Sequence, residues 1–174
     1  MRVLLVDDNR LMLEGLQSLL EARDIEVAGV ATNGLESVDL ACELRPDVIL
    51  MDVRMPGCNG LEATRLIKAR MPQARIVMLT TSDDDDDLFE AIRSGACGYL
   101  IKSIDTETLV DALEHAREGT PPFSPGLAAK LLDEFARVSG PAEPASQPTS
   151  GENDKASSTP LLSARQLQIL RLVA

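Results

Sequence analysis

The chain has 174 residues, 44 % of them hydrophobic but only 2 % aromatic, which suits one domain of ordinary size with an aliphatic core, plus an appendage. The net charge is −11, and the 25 acids against 14 bases in residues 1–139 argue against a nucleic-acid-binding main body; only residues 161–174, with Arg165 and Arg171 and no acid, have the opposite sign. With no apolar run near about 18 residues and no charged-then-apolar leader, neither a membrane span nor a secretory signal is expected; the three scattered cysteines, Cys42, Cys58 and Cys97, fit a reducing compartment and exclude a compact metal knuckle.

In chain order, short apolar runs alternate with amphipathic segments. The runs are Arg2–Val6, Glu26–Ala31, Asp47–Met51, Arg75–Thr80 and Cys97–Ile101, several of them continuous (VLLV, VILM, IVML), as expected of strands covered on both faces. Helical spacing joins Leu11, Met12, Gly15, Leu16, Leu19 and Leu20 after the first run, and Val38, Ala41 and Leu44 after the second. It joins Leu61, Thr64, Leu66 and Ile67 after the third, Leu88, Ala91 and Ile92 after the fourth, and Leu109, Ala112, Leu113 and Ala116 after the fifth. Turn residues divide the units: Asn33-Gly34, Met55-Pro56-Gly57 and Ser94-Gly95. Five strand–helix units in series predict an α/β fold, a (βα)5 doubly wound five-stranded parallel sheet over residues 1–120.

After Pro121, Pro122 and Pro125, the spacing of Leu127, Leu131, Leu132 and Phe135 predicts a linker helix within 121–138. Residues 139–160 have no apolar side chain larger than Ala or Pro and read as a flexible linker. Residues 161–174 start another helix, with Ser163 and Gln166 at capping-box spacing and Leu167, Leu170 and Val173 on one face.

Sites in doubly wound sheets form at the carboxyl ends of the strands. Here those ends carry Asp7 and Asp8, Asp52, Thr80 and Thr81, and Lys102. An isolated buried carboxylate costs several kcal/mol, so Asp52 among strand residues needs a hydrogen bond, a cation or a metal. Three carboxylates on one rim make a hard, oxygen-only donor set suited to Mg²⁺, and Lys102 supplies a point charge for a phosphoryl oxygen or for Asp52.

The Asp7-Asp8 pair, the loop "DVRMPGCNG", Thr80 after the fourth run and "GYLIKS" after the fifth occur in an order and spacing that resemble the receiver domain of two-component response regulators. The resemblance implies a flavodoxin-like fold in which Asp52 accepts a phosphoryl group from a histidine kinase. It implies Mg²⁺ held by Asp8, Asp52 and the backbone carbonyl of Arg54, with Asp7 helping through water. Thr80 and Tyr99 take the places of the family's switch pair, Lys102 binds the phosphoryl group, and Thr81 tunes dephosphorylation. No turnover enzyme is implied beyond self-catalysed phosphorylation and autodephosphorylation. "LSARQLQILRLVA" is similar to the first helix of a LuxR-type helix-turn-helix domain, so the whole resembles a truncated NarL/FixJ-class regulator. DNA would then be read only through the complete C-terminal domain, because the second helix of that motif makes the base contacts. A cytoplasmic protein that dimerises on phosphorylation, or releases its C-terminal domain, is expected.

Other readings stand beside this one. One is a stand-alone receiver or protein-interaction module without DNA binding. A haloacid-dehalogenase-like phosphatase also uses a strand-end Asp and Mg²⁺, but needs a second acid two residues later, where this chain has Arg54. Arg54 lies where a side chain can hold a phosphoryl oxygen or occlude water. The run "SDDDDD", residues 82–87, reads as a solvated, acid-rich start of the fourth helix capped by Ser82 or an early Asp. His115 is expected on the surface. Ser103 follows Lys102 where many receivers have a proline with a cis bond.

Overall fold

A computed structural model describes residues 1–81 and 85–138, with side chains through Leu132 apart from that of Asp85. The readings for Ser82, for the 139–160 linker and for the 161–174 helix lie outside the described residues. The order is β1 (Arg2–Val6), α1 (Arg10–Glu21), β2 (Glu26–Ala31), α2 (Gly34–Leu44), β3 (Val48–Asp52), α3 (Gly60–Arg70), β4 (Ile76–Thr80), α4 (Asp85–Ser94), β5 (Gly98–Ile101), α5 (Thr106–Glu118) and α6 (Leu127–Val138). The strands form one sheet in the order β2-β1-β3-β4-β5, and every pairing is parallel. The chain is therefore α/β and doubly wound, as the alternation predicts. Among the described residues no helix is long and apolar enough to cross a membrane, and no peptide bond is cis.

Period-2 alternation splits the strand residues between two cores. Leu4, Val6, Ile49, Met51, Ile76 and Met78 pack beneath α2, α3, α4 and the start of α6. Val3, Leu5, Val48, Leu50, Val77 and Leu79 pack beneath α1 and α5. Burial on both faces explains why these strands read as continuous apolar runs.

Helix starts are fixed by side chains that accept orphan N–H groups. Asn33 caps α2 and Asp105 caps α5. Asn59 caps α3 in a reciprocal capping box with Glu62. Two helix faces differ from the pattern reading. In α1 the buried set is Leu13, Leu16 and Leu20, while Leu11 is 78 % exposed. Leu13 and Leu11 lie two residues apart, about 200° around the helix, so both cannot face the sheet. In α3, Ile67 is buried and its neighbour Leu66 points outward.

The end of α5 leads into a strap along the outer edge of β5. Tyr99 donates its N–H to the Pro122 carbonyl (2.9 Å) and accepts from the Ser124 N–H (3.1 Å). Ile101 donates its N–H to Ser124 Oγ (3.0 Å). Tyr99 and Phe123 form a parallel bridge, and Leu127 and Leu131 are buried against the first core. Gly98 is needed there, since a Cβ would sit 2.6 Å from the Pro122 ring and carbonyl. An exposed strand edge, normally open to pairing, is thus closed by the chain itself.

Candidate functional site

The site sits at the carboxyl ends of β1, β3, β4 and β5. Asp7 follows β1, and its N–H donates to the Ala31 carbonyl at 3.2 Å, which continues the pairing with β2 by one residue. One Asp7 carboxylate oxygen accepts the Asn9 N–H (2.8 Å), and the other accepts Lys102 Nζ (2.6 Å). Asn9 in turn caps α1 by accepting from the Leu11 and Met12 N–H groups. Asn9 was absent from the sequence reading; its signal is the Asp-x-Asn spacing just before a helix.

Asp52 is the last residue of β3, as its place at a strand end predicts, paired with Leu79 of β4 and only 7 % exposed. The loop that follows comes back hard against it: Gly60 donates its N–H to the Val53 carbonyl (3.0 Å), and a Cβ on Gly60 would lie 1.9 Å from the Asp52 carbonyl oxygen. Only glycine permits that approach, and it sets where α3 starts. Lys102 follows β5; its N–H donates to the Thr80 carbonyl at 2.6 Å, which ties the ends of β4 and β5 together. Its ammonium then reaches Asp52 Oδ1 at 3.3 Å as well as Asp7. The lysine expected to serve Asp52 is bonded more closely to Asp7.

One carboxylate oxygen from each of Asp7, Asp8 and Asp52 lies within 4.8 Å of the other two, with Asp7 and Asp52 buried and Asp8 open to solvent. Burial raises the Asp52 carboxyl above the ordinary carboxylate range; Lys102 opposes that rise and the neighbouring Asp7 adds to it. For Lys102, burial alone would lower the ammonium, but the hydrogen bond to Asp7 and the charges of both acids outweigh it, so the shift is upward. The two directions agree physically. One cation faces two carboxylates, so the cation is oversupplied with counter-charge and each acid is undersupplied. By its donor chemistry such a rim could hold a cation.

Thr80, at the end of β4, is 1 % exposed, and its neighbour Thr81 is exposed. Tyr99 is fully buried within β5, beneath the strap rather than at an open edge. Arg54 extends sideways, and its Nη2 pairs with Asp87 Oδ2 of α4 at 2.8 Å. Arg54, Asp87 and Asp8 line one cavity of about 540 Å³ beside the acids. Within the acidic run, then, Asp87 pairs with Arg54. His115 is exposed on α5.

Residues 3–114 match the family model for the response regulator receiver domain. The chain belongs to this family. The chain is 40 % identical over 137 residues to the transcriptional regulatory protein LnrK of Bacillus subtilis, covering 78 % of this chain and 62 % of that protein. It is also 40 % identical over 174 residues to the transcriptional regulatory protein LiaR of Bacillus subtilis, covering 99 % of this chain and 76 % of that protein. Among solved structures, a LuxR-family two-component response regulator from Aurantimonas sp. SI85-9A1 superposes with a TM-score of 0.73 at 35 % identity, covering 78 % of this chain and 97 % of that one. The chain spans less than two thirds of the length of several of its relatives, LnrK among them.

Proposed function

We propose that the chain is the phosphoreceiver part of a transcription regulator, with Asp52 as the phosphoacceptor. The observation that carries this is the placing of one half-buried ammonium, Lys102, within 2.6 Å of Asp7 and 3.3 Å of Asp52 at the sheet's carboxyl rim. Asp52 Oδ attacks the phosphorus of a phosphohistidine, the P–N bond breaks, and the imidazole leaves with a proton. Lys102 holds negative charge as it spreads over the phosphoryl oxygens, a role that favours a fixed cation over a mobile one. Thr80, at the end of the neighbouring strand, supplies a hydroxyl on the same rim. Later, water attacks phosphorus, inorganic phosphate departs, and the Asp52 carboxylate is restored.

Asp7, Asp8 and Asp52, with the backbone carbonyl of Arg54, would hold Mg²⁺, which when bound offsets repulsion between an anionic donor and the acids. A bound phosphoryl group brings about −1.5 to −2 charge and three strong acceptors, enough to bias Thr80 and Tyr99 between two arrangements. Tyr99 carries the strap on its backbone, so the same residue connects the rim to α6. The partner implied is a histidine kinase, consistent with relatives named as two-component regulators. DNA binding belongs to residues beyond those described, the setting is cytoplasmic, and a phosphorylation-dependent dimer is the expected output.

The test is intact mass after incubation with acetyl phosphate and Mg²⁺. The parent should gain one phosphoryl group and Asp52→Asn none. An unlabelled parent, or equal labelling of the variant, rejects the assignment.

A further inference from the structure

We propose that Asp87 is a positioning residue for the phosphoryl chemistry: it holds the Arg54 guanidinium at the side of the rim, and the phosphoryl group on Asp52 competes with it for that guanidinium. This rests on the reading of Asp52 as the acceptor.

Three observations lead here. Arg54 Nη2 and Asp87 Oδ2 are 2.8 Å apart, joining the loop after β3 to the first turn of α4. The pair is lopsided: the Asp87 side chain is 22 % exposed and that of Arg54 is 64 % exposed, so the acid is the more enclosed member and the arginine the more open to solvent. Both line the cavity that Asp8 of the acidic triad also lines, so the guanidinium sits beside the charges it would serve.

Charge then decides the outcome. Before transfer, Arg54 faces carboxylates of unit charge. After transfer, it faces a group of about −1.5 to −2 with three acceptor oxygens, whose geometry suits a guanidinium fork. Moving Arg54 to the phosphoryl group leaves Asp87 without this partner. The acid remains favourable in the first turn of α4 through the helix dipole, but the tie between that turn and the β3–α3 loop is lost. Asp87 therefore sets how readily Arg54 guards the acyl phosphate from water. It also makes the start of α4 sensitive to the charge on Asp52.

The experiment is a double-mutant cycle on the full chain, labelled with acetyl phosphate and Mg²⁺ and followed by intact mass as label decays. Asp87→Asn should lengthen the half-life about threefold, the scale expected of a partly exposed pair. Arg54→Gln should shorten it, and adding Asp87→Asn to Arg54→Gln should change it by less than about 1.5-fold, since the coupling then has no carrier. Arg54→Lys should recover part of the lifetime. Asp87→Asn should also raise hydrogen exchange at the start of α4 in the unlabelled chain, and labelling the parent should do the same. A half-life change of equal size in both Arg54 backgrounds, or none in either, overturns the proposal while leaving the acceptor assignment intact. An unlabelled parent overturns both.

Discussion

The carboxyl rim of the sheet and the outer edge of β5 lie a few residues apart, yet they are held in opposite ways. At the rim, two buried acids share one ammonium, and burial pushes the Asp52 carboxyl upward. At the edge, every contact is mutual: Tyr99 donates and accepts, Ser124 completes Ile101, and Leu127 and Leu131 fill the core beneath. The rim holds two acids to one ammonium, whereas the edge pairs the backbone groups of Tyr99 and the Ile101 N–H with the strap. Tyr99 joins the edge to the core, with its side chain buried and its backbone under the strap.

The contrast breaks most readily at Lys102. Replacing it with Met leaves two uncompensated carboxylates in a buried site, and stability without divalent ions should fall by about 3–5 kcal/mol. Urea unfolding should show this, and Asp7→Asn in the same chain should restore part of the loss. If Lys102→Met unfolds like the parent, the rim is better solvated than its burial indicates. The edge should respond next. Leu131→Ala removes a buried side chain, 3 % exposed, and should cost about 2–4 kcal/mol if strap and sheet unfold together. Ser124→Ala should cost about 1 kcal/mol by leaving the Ile101 N–H unpaired. Exchange protection lost only in 121–132, with the global midpoint unchanged, would instead make the strap an independently docking unit.

The smallest effect sharpens the comparison through pH. The folded state raises the Asp52 pKa, so it favours the protonated form. The associated stability is present below the unfolded pKa and is lost as pH rises through the folded value. At neutral pH, Asp52→Asn should therefore melt slightly above the parent without divalent ions, and the gain should shrink as pH falls toward and below about 4. A thermal midpoint series across that range reads it directly. A gain that grows on acidification would contradict the direction given for Asp52.

Much of the fold was legible because burial on both faces writes strands as unbroken apolar runs, and the helices between them keep a 3.6-residue period. The strand ends were legible too, since a carboxylate or lysine closing an apolar run has few other reasons to be there. Asp7, Asp8, Asp52 and Lys102 could be marked on that ground alone, whereas Thr80, by itself an ordinary strand residue, stood out only by its place at the end of the fourth run. Which leucine of α1 faces inward was not, because Leu11, Leu13 and Leu16 fit overlapping stripes and only the position of the sheet selects Leu13 and Leu16.

What the sequence determined by itself is thus local: the period of each segment, the caps, the glycines and the chemical type at each strand end. What only the tertiary structure decided is pairing between residues distant along the chain. Lys102 lies 95 residues from Asp7 and bonds to it more closely than to Asp52. Arg54 finds Asp87 across 33 residues, inside a run that reads as plain solvated charge. Ser124 reaches Ile101 across 23 residues and closes an edge that the pattern of 121–138 did not announce. Such contacts depend on where the strand order places each end, and parallel crossovers bring together residues whose neighbours along the chain carry no mark of the encounter.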